Sequence, residues 1–243
     1  MNYFWSKLVV VLMLLLLSLP SLSQTVVIAV GDSITSGYPE IENANGCHAC
    51  GGYAPYLQSL LNSSTLASTV YNFGIAGDRA QWATVPSTKL GSNQIPRAFA
   101  AHSPDFMLYL FGTNDLYHHS PETIISYIRI GMNAILDGGA LPIIATLLPD
   151  TRSNNNNVKE IPRTNSLLRD MLEEEGVTMA EMYYAPSTQN PVGAWDSLMA
   201  DDLHPGPSGR SLMAGVWSVA LLAKVAKIKA NGALSAAFLL LLD

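Results

Sequence analysis

TVVIAVGDSITSGY, Thr25 to Tyr38, is the stretch from which the rest of the chain is read. Its first half, Thr25 to Val30, is a short continuous apolar run rich in β-branched residues. Such a run predicts a strand buried on both faces. Gly31 allows a tight exit, and Ser33 falls just past the strand end. In open α/β sheets, ligands bind outside the carboxyl ends of the strands. A serine there, at the start of a helix, has an exposed hydroxyl and a nearby backbone N–H. That suits a nucleophile and the oxyanion it creates. Taken alone, Gly-Asp-Ser is equally the mark of a polar turn that caps a helix.

The pattern repeats outward from this stretch. Gly52 to Leu61 reads as a helix, with Tyr53, Tyr56, Leu57, Leu60 and Leu61 at helical spacing. Ser68 to Phe73 reads as a second strand, and it runs into Asn72-Phe73-Gly74. A helix over Gln94 to His102 is stopped by Ser103-Pro104. The third strand, Asp105 to Phe111, runs into Gly112-Thr113-Asn114-Asp115. A helix over Pro121 to Leu136, a strand over Leu141 to Leu148, a helix over Arg163 to Glu175 and a strand over Val177 to Met182 follow. A long loop containing Trp195 leads to Asp201-Asp202-Leu203-His204-Pro205, and Ser208 to Lys227 is the last helix. Strand and helix in alternation predict a parallel sheet covered on both faces. The expected fold is α/β: one flavodoxin-like three-layer α/β/α sandwich around a five-stranded parallel sheet.

Composition narrows the function classes. The chain has 243 residues, 49% apolar and 13% charged, which fits one domain with a sizeable core and not a disordered chain. Net charge is −6 with no Lys/Arg run, which argues against a nucleic-acid partner. No GxGxxG or phosphate-loop pattern occurs, so a nucleotide cofactor is not indicated.

The ends differ from the middle. Lys7, the apolar run Leu8 to Leu17, Pro20 and Ser21-Leu22-Ser23 form a signal-peptide pattern, with cleavage expected after Ser23. The expected product is secreted, or periplasmic or extracellular. Residues 24–230 form the expected domain, and 231–243 an apolar tail. That tail is too short to span a bilayer and lacks the polar spacer of a glycosylphosphatidylinositol signal. It is expected to extend or pack beside the last helix, with membrane association the less favoured alternative. Cys47 and Cys50 are the only cysteines, and an oxidising compartment permits a disulfide between them. A free dithiol, or a metal site with His48, is the weaker reading, since two cysteines and one histidine do not complete a tetrahedral set. The four asparagines within Ser153 to Val158 read as a surface loop, and Asn62-Ser63-Ser64 is a glycosylation sequon.

Polar residues collect at one edge of the expected sheet. Ser33, Gly74 and Asn114 follow the first three strands, and His204, with Asp201 three residues before it, follows the fifth. With these blocks in order, and Pro104-Asp105 leading into the third strand, the chain resembles the GDSL, or SGNH, hydrolase family from about Thr25 to Lys227. The resemblance implies ester hydrolysis through an acyl-enzyme, with no metal or organic cofactor. Ser33 would be the nucleophile, His204 its base and Asp201 the residue that holds the imidazole. The backbone N–H groups of Ser33 and Gly74 and the side-chain amide of Asn114 would form the oxyanion hole. No G-x-S-x-G elbow is present, which argues against an α/β-hydrolase.

Each role has a plainer rival. Asp202 could orient the histidine in place of Asp201, and Asn114 could simply cap a helix, as Asp115 is expected to do. Asp32 reads as a turn or cap residue. His118 and His119 read as a solvated loop, Arg79 and Trp82 as surface residues or substrate contacts, and His48 and His102 sit in no motif. The family's substrates range from lipids to acetylated carbohydrates, and a small or medium acyl ester is the preferred class. The competing class is a glycan- or lipid-binding protein on the same fold.

Overall fold

The computed structural model describes residues 24–84, 92–150 and 159–240, with no side chains described over 233–240. The expected leader and the asparagine run lie outside the described residues. Strand β1, Thr25–Gly31, forms as expected and enters helix α1, Ser33–Ser36. Then come β2 (Cys47–His48), α2 (Ala54–Asn62), β3 (Ser68–Asn72), α3 (Gln94–Ala101) and β4 (Phe106–Leu110). The chain continues with α4 (Pro121–Asp137), β5 (Leu141–Ala145), α5 (Ile161–Glu174), β6 (Thr178–Ala180), α6 (Pro191–Asp196) and α7 (Pro207–Leu240).

The sheet order is β2-β3-β1-β4-β5-β6. The five strands expected from the sequence pair in parallel, Val27 with Val70 and Phe106 among them. The five-stranded expectation is corrected to six by β2, which pairs antiparallel, Cys47 with Asn72 and His48 with Tyr71. This edge strand is two residues long and sits in a polar insertion, so it carries no apolar alternation to reveal it. Cys47 and Cys50 are joined in a disulfide, which closes the turn beside it. His48 and His102 both lie against Tyr71, at ring-centroid distances of 5.7 and 3.9 Å.

Because helices cover both faces, β1 is apolar at successive positions and not at alternate ones. Ile28 and Val30 face a core made with Ile95, Ile128, Met132 and Leu168 from α3, α4 and α5. Val27 and Ala29 face the opposite core, built with Leu57 and Leu61 of α2 and Met213, Trp217 and Leu221 of α7. Pairing order reverses at β1, where β3 lies on one side and β4 on the other. The carboxyl ends of these three strands therefore frame a crevice at the switch point of the sheet.

One element exceeds the expectation. The long loop before His204 contains α6, which Asn190 caps by accepting from the Gly193 N–H at 3.1 Å. Buried Trp195 anchors it by donating Nε1–H to the carbonyls of Met182 and Tyr183. The last helix runs as far as Leu240, extension being one of the two outcomes expected of the tail.

Candidate active site

Ser33 opens α1, a helix of four residues. The Asp32 carboxylate caps it by accepting from the Ile34 N–H at 2.9 Å, and Gly37, at φ 89°, ends it in the left-handed region. As the first helical residue, Ser33 has an N–H with no acceptor inside the helix. The base of this turn is held from a distance. Buried Gln94 accepts from the Gly31 N–H at 2.9 Å and donates to the Gly31 carbonyl at 2.8 Å, so its side chain completes the ladder where β1 ends.

His204 reaches the serine from the other end of the chain, with Nε2 2.9 Å from Ser33 Oγ. Its Nδ1 lies 2.8 Å from Asp201 Oδ2. Asp201 Oδ1 also accepts from the N–H groups of Leu203 and His204, at 2.8 and 2.6 Å. This Asx turn is what brings the carboxylate under the ring three residues on. Partial burial raises the Asp201 pKa, but the His204 and Leu203 hydrogen bonds outweigh it and hold the carboxyl below its ordinary value. The acid at the imidazole is therefore Asp201, and Asp202 is exposed.

Gly74 and Asn114 stand at the same edge but in different states. The Gly74 N–H donates to Asn72 Oδ1 at 2.9 Å. Asn72 in turn donates to the carbonyls of Thr35 and Cys50, at 2.7 and 2.9 Å. One amide hydrogen of Asn114 goes to the Asp78 carbonyl at 2.9 Å, and an amide has a second to offer. Asn114 makes no side-chain cap. Asp115 has a structural place: its Oδ2 accepts from the Ala80 N–H at 2.9 Å.

Beneath the site lie three buried carboxyls, Asp32, Asp78 and Asp115. Burial pushes Asp32 up to about 7, against the pull of the Ile34 hydrogen bond and with Asp115 and Asp78 adding to the rise. Burial also raises Asp115, opposed by the N–H groups of Ala80 and Gln81.

The rim is more ordered than the sequence suggests. His119, expected as part of a solvated loop, is half-buried, and its Nε2 meets Gln81 Oε1 at 2.7 Å. His118 is exposed and contacts Arg79, whose guanidinium lies 4.6 Å over the Trp82 ring. The Tyr38 ring packs 5.0 Å from the His204 ring. Arg210 of α7 donates to the Pro205 carbonyl at 2.9 Å, to Glu40 at 2.8 Å and to the Tyr38 carbonyl at 3.3 Å. Tyr38, Glu40, Gln94 and Arg210 escaped the sequence reading because each acts on a residue far along the chain, and none sits in a motif.

Comparison with known proteins bears on the family and the fold. The model of the GDSL-like lipase/acylhydrolase family matches residues 29–212. No curated protein matches the chain. Among solved structures, the chain is similar to Axe2, an acetylxylan esterase from Geobacillus stearothermophilus. That match has a TM-score of 0.65 and 18% identity over 81% of this chain and 93% of that one. A putative GDSL-like lipase from Parabacteroides merdae matches at TM-score 0.63, with 19% identity over 81% and 95%. LAE5, an alpha/beta hydrolase enzyme from the metagenome of Lake Arreo, matches at 0.64, with 18% identity over 81% and 94%.

Proposed function

The chain belongs to the GDSL-like lipase/acylhydrolase family and is a carboxylic ester hydrolase; from that premise we propose that it is a secreted serine esterase whose nucleophile is Ser33. The observation that carries this reading is the continuous relay from Ser33 Oγ to His204 Nε2 at 2.9 Å and from His204 Nδ1 to Asp201 at 2.8 Å.

The proton bookkeeping follows from the acid. An ionised Asp201 can only accept, so His204 carries its hydrogen on Nδ1 and presents Nε2 as the base. The Ser33 hydroxyl donates to Nε2, and Oγ attacks the ester carbonyl as that proton moves to the ring. The Ser33 N–H and the second amide hydrogen of Asn114 stabilise the oxyanion; one such donor is worth about 10²–10³ in rate. Gly74 joins them by sharing the N–H that Asn72 holds at rest. The tetrahedral intermediate collapses, His204 returns the proton to the leaving alcohol, and water activated by the same ring releases the acid from Ser33.

The preferred substrates are small or medium acyl esters, in lipid or acetylated carbohydrate. The fold shared with an acetylxylan esterase supports the carbohydrate side of that range. Secretion rests on the signal-peptide pattern of residues 1–23.

Hydrolysis of p-nitrophenyl esters across acyl lengths, wild type beside Ser33→Ala, tests the reading. Activity that falls by roughly 10⁴ or more in the variant supports it. Equal activity in both chains removes Ser33 from the role. No turnover of any ester by the wild type favours a binding protein on the same fold.

A further inference from the structure

Helix α7 has two different halves. It starts at Pro207, one residue beyond His204-Pro205, and is 34 residues long, which is ~51 Å of helix. Its first half is core: Met213, Ala214, Trp217 and Leu221 are all buried. By Val225 and Ile228 the helix has reached the opposite edge of the sheet. There, with Lys229, it lines a cavity of about 410 Å³ together with Thr25, Phe106 and Leu141, which begin or adjoin the starts of β1, β4 and β5. The helix then continues to Leu240.

The sequence of that end is unusual for this chain. Lys224, Lys227 and Lys229 are three of its six lysines, set within six residues of a chain whose net charge is −6. From Ala230 to Leu240 there is no charged residue, and the stretch closes on Ala-Ala-Phe-Leu-Leu. Ile228, at the junction, is 43% exposed.

Pro207–Gly232 is long and apolar enough, by length and composition, to cross a membrane, but its first half is committed to the core. The uncharged stretch, Ala230 to Leu242, would make ~20 Å of helix against a hydrocarbon core of about 30 Å. Of the preceding residues, those up to Leu221 belong to the core, and 224–229 carry the three lysines. A short apolar helix end behind a lysine collar instead matches an interfacial anchor, in which the apolar end enters the acyl boundary and the ammonium groups stay with anionic headgroups.

We propose that the carboxyl-terminal end of α7 docks the protein on an anionic lipid surface, with Lys224, Lys227 and Lys229 against the headgroups. The Ser33–His204 edge then faces away from that surface, since α7 carries the two sites to opposite edges of the sheet. A tethered protein in this orientation acts on esters outside the bilayer that holds it. The occupant is a membrane and not a second copy, because a lysine collar repels its own image and is attracted by phosphatidylserine.

Flotation with phosphatidylcholine vesicles, with and without phosphatidylserine, tests this on three chains: the full chain, the same chain ending at Gly232, and the full chain with Lys224→Gln, Lys227→Gln and Lys229→Gln. The full chain is expected to float with the anionic vesicles and the shortened chain to stay below. The triple variant should bind roughly a hundredfold more weakly. Ester hydrolysis in solution, unchanged in both variants, shows that they are folded. Flotation of the shortened chain, binding indifferent to phosphatidylserine or to the three lysines, or self-association of the full chain without flotation would each overturn the proposal.

Discussion

His204 Nε2 meets Ser33 Oγ at 2.9 Å although 171 residues separate them. The contact exists because both residues leave the carboxyl edge of one sheet, Ser33 after β1 and His204 after the loop that follows β6. Trp195 roots that loop in the core, and the Asx turn of Asp201 aims the ring.

The choice of acid at the ring is testable. Asp201→Asn lowers kcat by roughly 10²–10⁴ with KM little changed, because the amide no longer fixes the hydrogen on Nδ1. Asp202→Asn leaves kcat within about twofold. Steady-state kinetics on one ester decide between them; equal losses would remove Asp201 from its assigned place.

Gly74 is required for space. A Cβ there would lie 2.4 Å from the Ser36 N and 2.8 Å from the Thr35 carbonyl carbon, both in the helix that carries the nucleophile. Gly74→Ala should cost about 1–3 kcal/mol in urea unfolding and lower kcat by displacing α1. Normal activity would show that α1 yields without moving Ser33.

Asp32 makes stability fall with rising pH. Its folded pKa, about 7, lies above the ordinary 3.8, so the folded chain binds the extra proton between those values. Stability therefore declines across that window, by at most about 4 kcal/mol, and levels off above it. Asp32→Asn keeps an oxygen for the Ile34 N–H and removes the titration. Denaturation midpoints should match wild type near pH 4 and exceed it near pH 8, as the ~3-unit shift requires. Parallel pH profiles would refute this.

Arg210 positions the site from outside it. It ties Pro205, next to His204, to Tyr38 and Glu40 beyond the nucleophile. Its hydrogen bond is also the main cause that holds the Glu40 pKa down. Arg210→Ala should lower kcat about tenfold with little change in KM, and Arg210→Lys should not restore it, because one ammonium cannot reproduce the guanidinium fork. Restoration by lysine would reduce the role to charge alone.

Much of this molecule is legible without coordinates. β1 announces itself by unbroken β-branched residues, and Ser33, Gly74 and Asn114 each follow a strand that can be recognised from its own composition. The Asp201–His204 pair is local, three residues apart, so its turn is written in the sequence. β2 is not legible, since two residues in a polar insertion have no periodicity to detect. Neither is the engagement of the Gly74 N–H by Asn72, which depends on how a side chain folds back on its own strand end.

Local patterns thus determined by themselves the alternation of strands and helices, the edge of the sheet at which the polar blocks gather and the residue types of the relay. They suffice for this because backbone preference and apolar periodicity act over a few neighbouring residues. The tertiary structure alone decided that Gln94 completes the ladder at Gly31, 63 residues away, and that Arg210 joins the two sides of the site across 170. It alone decided, too, that α7 carries its lysines to the edge opposite Ser33. Those facts depend on hydrogen bonds and packing between segments that only the folded sheet brings together.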